Sequence, residues 1–176
     1  MPTPHRICFV CSGNICRSPT AQVVLKHLAE QARLADLIEV DSAGTGSWHA
    51  GDDMDERSRQ VLTDAGYDVP LHVARQFRAD DFAERDMVIA LDAGHRDVLE
   101  ELARRTDDPE ASHAKIVMLR SYDPKLGAGD EPDVADPYYG GRRGFLDVLE
   151  QVERSCAGLL DALRADAVQQ TDRPPR

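Results

Sequence analysis

The sequence predicts a single α/β domain built on a four-stranded parallel sheet with helices on both faces. Short apolar runs rich in strand formers recur along the chain, and most are followed by segments whose apolar residues repeat at helical spacing. Strands joined by helical crossovers form parallel sheets whose two faces are both covered. In addition, the 176 residues contain no internal repeat or low-complexity linker, which fits one core of ordinary size.

Residues 7–11 (ICFVC) read as a buried strand that ends abruptly in the polar segment SGNICRSPT. Ser18 before Pro19 is the N-cap and first-turn pattern of a helix, and Val23, Val24, Leu28 and Ala32 mark its apolar face. Residues 37–43 (LIEVDSA) read as a second strand. Asp53 is expected to cap a helix that stops at Gly66. Residues 86–92 form a third strand, about 94–104 a helix, and 115–119 a fourth strand. Phe145, Leu149, Val152, Cys156, Leu159 and Leu163 stripe a closing helix. The domain is expected to span 1–167, with 168–176 (VQQTDRPPR) as a flexible tail.

In such sheets, sites form at the carboxyl ends of strands. Residues 12–17, 43–49 and 121–141 leave such ends and are expected to share one crevice. The last of them, at about twenty residues, is longer than a plain connection requires and reads as functional. It carries Asp136-Pro137-Tyr138-Tyr139-Gly140.

Composition narrows the function. The formal charge of −11, from 21 basic and 32 acidic residues, repels polyanions and argues against nucleic acid as a partner. No apolar run is long enough for a signal-peptide core or a membrane span, so cytoplasmic residence with no membrane partner is expected. Three of the four cysteines (Cys8, Cys11, Cys16, Cys156) fall within nine residues, which is no disulfide framework. The six histidines lack ligand spacing, so neither a metal nor another cofactor is expected. Cys8 and Cys156 read as core, His72 as a satisfied core histidine, and His5, His49, His95 and His113 as solvated.

The loop after the first strand is where an anion can bind. A helix N-terminus presents unpaired N–H groups, and a loop that curls its amides inward adds more. Gly13 and Asn14 tolerate the left-handed backbone such a curl needs. Ser12, Gly13, Asn14, Ile15, Cys16 and Ser18 complete the cradle, and Arg17 offers a planar fork for two phosphate oxygens. The same donors favour a thiolate on Cys11, the nucleophilic form of cysteine. In a chain with four cysteines and 21 basic residues, a bare C-x5-R spacing arises readily by chance. Its position between an apolar strand and a helix start is what makes it informative.

The segment CSGNICRSPT resembles the signature loop of the low-molecular-weight protein-tyrosine phosphatases, and DPYYG resembles their general-acid loop. DSAGTGSWHAGDDMDERS and VPLHVARQF resemble further segments of that family in the expected order, so the likeness covers nearly the whole chain. It implies a flavodoxin-like (phosphotyrosine phosphatase I-like) sheet, Cys11 as nucleophile, Arg17 as phosphate clamp and Asp136 as general acid and base. It also implies that Asn14, Ser18, Ser42 and His72 form a network supporting the loop. Substrates would be phosphotyrosine proteins, with inorganic phosphate as product and inhibitor. Trp48, Tyr138 and Tyr139 would wall a cleft for an aromatic ester. An ionised cysteine working with a protonated aspartate implies an optimum on the acid side of neutrality.

The sequence is compatible with other readings. Asp136 before Pro137 could simply start a turn, and Trp48 could be a local packing anchor. Cys16 could be a buried filler or could trap oxidised Cys11 as a disulfide. Arsenate reductases resemble this fold but need resolving cysteines, and residues 67–155 contain none. Arginine phosphatases carry Thr where this chain has Ile15. A phosphotyrosine-binding module without turnover would not need Cys11, Arg17 and Asp136 together.

Overall fold

A computed structural model describes residues 3–171, with side chains described through residue 166. Four parallel strands form one sheet: β1 (His5–Cys11), β2 (Ile38–Gly44), β3 (Met87–Ala90) and β4 (Ile116–Met118), in the order β2-β1-β3-β4. Among the described residues five α-helices accompany it: α1 (Arg17–Gln31), α2 (Glu56–Asp64), α3 (Ala93–Ala103), α4 (Pro109–Ala114) and α5 (Arg142–Thr171). The expected sheet and its four strands are present. The short helix α4 was not anticipated, although Asp108, which caps it, and Pro109 at its first turn are readable start signals.

Both faces of β1 are buried, and alternate residues serve opposite cores. Ile7, Phe9 and Cys11 join a cluster with Val24 and Leu25 of α1 and Val152, Cys156 and Leu159 of α5. Cys8 and Val10 join Val88, Ala90, Leu99 and the edge-to-face pair Phe77–Phe82, whose centroids lie 5.1 Å apart. Each of the Ile, Val, Leu and Phe side chains among them, fully removed from water, contributes about 2 kcal/mol. Cys8 and Cys156 are fully buried, as their apolar settings predict.

Two helix starts differ from expectation. α1 begins at Arg17 with Cys16 at the cap position, and Ser18 is inside the first turn with its hydroxyl turned toward β1. α2 is capped by Asp55, whose side chain accepts from the Arg57 N–H, and not by Asp53. Asp53 instead accepts from the backbone N–H of His72 and pairs with Arg59, pinning the strap that follows α2. The stop at Gly66 holds, with φ of 90°. At the other end, α5 continues to Thr171, past the expected boundary at 167, and residues 172–176 of the expected tail lie outside the described residues.

The long segment after β4 is tied back across the sheet. The Val134 N–H donates to the Leu91 carbonyl (2.8 Å), and Asp133 accepts from the Ala93 N–H (2.9 Å). Val134 is fully buried, so the chain two residues later, at Asp136, emerges over the carboxyl ends of β1 and β3.

Candidate active site

The turn from β1 into α1 is held in a shape that few residues adopt. Asn14 has φ of 59°, in the left-handed region where Asn is among the better-tolerated side chains. Its side-chain nitrogen donates to Ser18 Oγ and Ser42 Oγ, both at 2.9 Å, and its side-chain oxygen accepts from the Arg75 N–H at 3.0 Å. Its carbonyl lies 2.7 Å from His72 Nε2. Thus Asn14, Ser18, Ser42 and His72 form one connected network. Gln22 was not anticipated in it, yet its side-chain oxygen accepts from the Ser42 hydroxyl at 2.6 Å. Burial holds the His72 imidazole below its ordinary range, so neutral His72 donates to the Asn14 carbonyl.

Gly13 is not left-handed. A Cβ there would come within 2.9 Å of the His49 ring, so Gly13 is needed for close approach of side chains, not for a positive φ. Gly44 at the end of β2 is tighter still, because a Cβ would lie 2.6 Å from the Ser12 carbonyl oxygen and 3.1 Å from the Asn14 nitrogen. The cradle rests directly on the β2 backbone, with Thr45 N–H donating to the Cys11 carbonyl and Gly46 N–H to that of Ser12.

Ser18 Oγ lies 2.9 Å from Cys11 Sγ and 3.2 Å from the Ala43 carbonyl, while Asn14 donates to it. The single hydroxyl proton can therefore be turned toward the sulfur, where an anionic acceptor would bind it more strongly than a carbonyl does.

Arg17 is almost wholly buried. Nη1 donates to Asp92 Oδ2 (2.7 Å) and to the Val134 carbonyl (2.9 Å). Nη2 lies 3.5 Å from both Ser12 Oγ and Asp136 Oδ2, and 3.4 Å from His95 Nε2. His95 is buried and not solvated as expected, and its Nε2 is 2.8 Å from Ser12 Oγ. Its Nδ1 lies 3.1 Å from Asp92 Oδ1 without the alignment of a hydrogen bond. Since Arg17 can only donate, a neutral His95 accepts at Nε2 and carries its proton on Nδ1, facing Asp92. Burial, reinforced by the Arg17 charge, pushes the His95 imidazole down to about 4. Burial works to raise the Asp92 carboxyl, but the His95 N–H, the His95 ring and Arg17 together hold it below the usual range.

Asp92 and His95 were not anticipated as site residues. Their signal was available: the end of β3 is a fourth carboxyl end, beside β1 through the Val10–Ala90 register, and Asp92 and His95, which face Arg17, follow it closely.

The three expected loops do meet. A pocket of about 190 Å³ is lined by Cys11, Ser12, Gly13, Ile15, Cys16 and Arg17 from the cradle, Trp48 and His49 from the loop after β2, and Asp136, Tyr138 and Tyr139 from the loop after β4. Tyr138 and Tyr139 meet edge to face at 5.0 Å. Trp48 and Tyr139 are 75% and 96% exposed, so they form an open rim and not a packed wall. Cys16 is a buried member of the cradle, where burial, followed by the nearby Asp55 charge, pushes its thiol up to about 12. Among the described residues no group of three or more His, Cys, Asp or Glu side chains is placed to hold a metal ion, and no helix is long and apolar enough to cross a membrane.

The arrangement brings a cysteine, a buried guanidinium and a half-exposed carboxylate to one pocket. Residues 6–170 match the family model described as low molecular weight phosphotyrosine protein phosphatase. The chain belongs to that family. A low molecular weight protein-tyrosine-phosphatase of Streptomyces coelicolor is 52% identical over 160 residues, covering 91% of this phosphatase and 94% of the relative. The crystal structure of a protein tyrosine phosphatase from Entamoeba histolytica, with Hepes in its active site, superposes with a TM-score of 0.84 at 33% identity, over 93% and 99% of the two chains. The Drosophila arginine phosphatase superposes with a TM-score of 0.80 at 34% identity, over 89% of this phosphatase and 96% of that chain. Similarity of fold therefore does not by itself choose between phosphotyrosine and phosphoarginine.

Proposed function

We propose that this protein-tyrosine phosphatase works through a phosphocysteine on Cys11. The observation that carries the reading is convergence: Cys11, Arg17 and Asp136 line one pocket, with Arg17 Nη2 3.5 Å from Asp136 Oδ2. The Cys11 thiolate attacks phosphorus in line, while Arg17 and the amides of residues 12–18 hold the three equatorial oxygens. The phosphorus–oxygen bond breaks with its electron pair on the phenolic oxygen, which takes a proton from Asp136. Water then attacks phosphorus, the phosphorus–sulfur bond returns its pair to Cys11, and the Asp136 carboxylate accepts the proton from water. Inorganic phosphate leaves, and at high concentration it competes for the same cradle.

The substrates are phosphotyrosine proteins of the cytoplasm. Trp48, Tyr138 and Tyr139 offer aromatic surface to the phenyl ring. The apolar Ile15 in the pocket favours phosphotyrosine over phosphoarginine, because its side chain offers nothing to hydrogen-bond a guanidinium. Cys16 remains a candidate partner for oxidised Cys11.

The test is hydrolysis of p-nitrophenyl phosphate and a phosphotyrosine peptide, with a phosphoarginine control, by wild type, Cys11→Ser and Asp136→Ala. Turnover of both aryl esters, none by Cys11→Ser and a loss of ~10²-fold or more with Asp136→Ala is the expected result. Absence of wild-type turnover on both aryl esters sinks the reading.

A further inference from the structure

The carboxylate of Asp136 is half-exposed, and it is held by few contacts. Among the described residues its polar contacts are Arg17 Nη2 at 3.5 Å and the Tyr138 N–H, which donates to Oδ1 at 3.1 Å. The peptide unit on the other side of Tyr138 is held as well. Arg57 Nη1 donates to the Tyr138 carbonyl at 2.9 Å and lies 3.4 Å from that of Gly140. The rest of the Arg57 guanidinium is committed to Asp55, with Nε on Oδ1 at 3.0 Å and Nη2 on Oδ2 at 2.8 Å. Its plane sits over Phe145 at 4.6 Å and Tyr138 at 5.5 Å from the ring centroids. Asp55, in turn, is joined to the cradle, because its backbone N–H donates to the Ile15 carbonyl at 2.8 Å.

A continuous chain of directional bonds therefore runs from the phosphate cradle through Asp55 and Arg57 to Tyr138, and from the Tyr138 N–H to the carboxylate of Asp136. We propose that Arg57 is a positioning residue that sets the distance between Asp136 and the leaving oxygen. This rests on the assignment of Asp136 as general acid. Arg57 does not itself line the pocket, so its effect passes through the acid loop, chiefly through the Tyr138 and Gly140 carbonyls that it holds. A bidentate pair to Asp55 fixes the guanidinium plane, which a lysine could not do. The exposed pair Arg142–Asp64 (2.7 Å) links the start of α5, just beyond the loop, to α2 without reaching Asp136, and serves as the control.

The test is kcat/KM on phenyl phosphate, whose leaving group needs a proton, against 2,4-dinitrophenyl phosphate, whose leaving group does not. Arg57→Met is expected to lose about tenfold or more on the first ester and less than about twofold on the second, with inhibition by inorganic phosphate unchanged. Arg57→Lys is expected to show the same ordering at smaller amplitude and carries the test should Arg57→Met fold poorly. Asp64→Asn is expected to keep both rates. Equal losses on both esters, or none, in a folded Arg57 variant overturn the proposal while Asp136→Ala still discriminates between them. If Asp136→Ala itself does not discriminate, the general-acid assignment fails first, and the role of Arg57 falls with it.

Discussion

Asp92 Oδ2 accepts a hydrogen bond from Arg17 Nη1 at 2.7 Å, across the junction of β1 and β3, and so fixes the orientation of the fork that faces the cradle. Truncating Asp92 removes the closer of the two carboxylates that pair with a buried guanidinium, a change that costs up to about 3 kcal/mol in comparable settings. It also frees the fork to turn. Asp92→Ala is expected to weaken inhibition by inorganic phosphate and to lower kcat/KM by about 10²-fold, the usual size of an ångström-scale misplacement. Asp92→Asn keeps the volume and one acceptor and is expected to lose less on both counts. Phosphate inhibition at wild-type strength in Asp92→Ala would show that Arg17 needs no second anchor.

Asn14 carries two separable demands, a left-handed backbone and three side-chain hydrogen bonds. Asn14→Gly satisfies only the first, and Asn14→Ala satisfies neither. The lost bonds leave Ser18, Ser42 and the Arg75 N–H short of partners in a buried site, for which about 2–3 kcal/mol is expected in both variants. The alanine variant adds roughly 1 kcal/mol for the strained backbone. Urea unfolding measures both. Equal stabilities of the two variants would mean that the backbone strain is absorbed elsewhere.

The cradle was legible in the sequence because its parts are contiguous: strand, Gly-Asn turn, Arg and helix start occupy a dozen residues whose spacing carries the chemistry. The segment that carries Asp136 was legible as too long to be a simple connection, whereas Asp136 itself was singled out only by the resemblance of DPYYG to a general-acid loop. Asp92 and His95 were not, because what matters about them is lateral. They reach Arg17 only because β3 is hydrogen-bonded beside β1, and strand order is a property of the whole sheet. Ser18 was misplaced as a helix cap for a related reason. Its local pattern fits an N-cap, but the sulfur of Cys11 and the amide of Asn14 claim its hydroxyl. Arg57 lies on an exposed helical turn, where a lone arginine reads as surface charge until the acid loop is seen to pass over it.

Gly44 is the point where the end of β2 touches the underside of the cradle. A methyl group there meets the Ser12 carbonyl oxygen at 2.6 Å and the Gly13 carbonyl carbon at 3.1 Å, both backbone atoms with nowhere to go. Gly44 is also held by its neighbours, donating to the Arg75 carbonyl and accepting from the Phe77 N–H. Gly44→Ala is therefore expected to cost about 1–3 kcal/mol of stability, in the range of other overpacking changes, and to impair phosphate binding along with it. Gly51→Ala provides the contrast: no atom lies near its added methyl, but its φ of 92° is unfavourable, so a stability loss without a loss of phosphate inhibition is expected.

His95 is the larger source of an acid-side weakness in the protein. Arg17, Asp92, Asp133 and Asp136 face it, and burial together with Arg17 outweighs the three carboxylates, so that its folded-state value falls from the ordinary 6.5 to about 4. Between those two values the unfolded chain takes up a proton that the folded chain refuses. Stability contributed by this site is thus intact above about pH 6.5 and declines as pH falls toward 4, with a full penalty on the order of 3 kcal/mol. His72, lowered in the same direction by burial, adds to the slope. Lowered carboxylates such as Asp92 oppose neither, because their stabilisation is lost only at still lower pH, as they protonate in the folded state. His95→Gln, which keeps a polar group near Ser12 but cannot titrate, is expected to flatten the dependence of unfolding free energy on pH between 6.5 and 4. Unfolding curves collected at half-unit steps measure this directly, and a slope in His95→Gln as steep as that of wild type would place the acid sensitivity elsewhere.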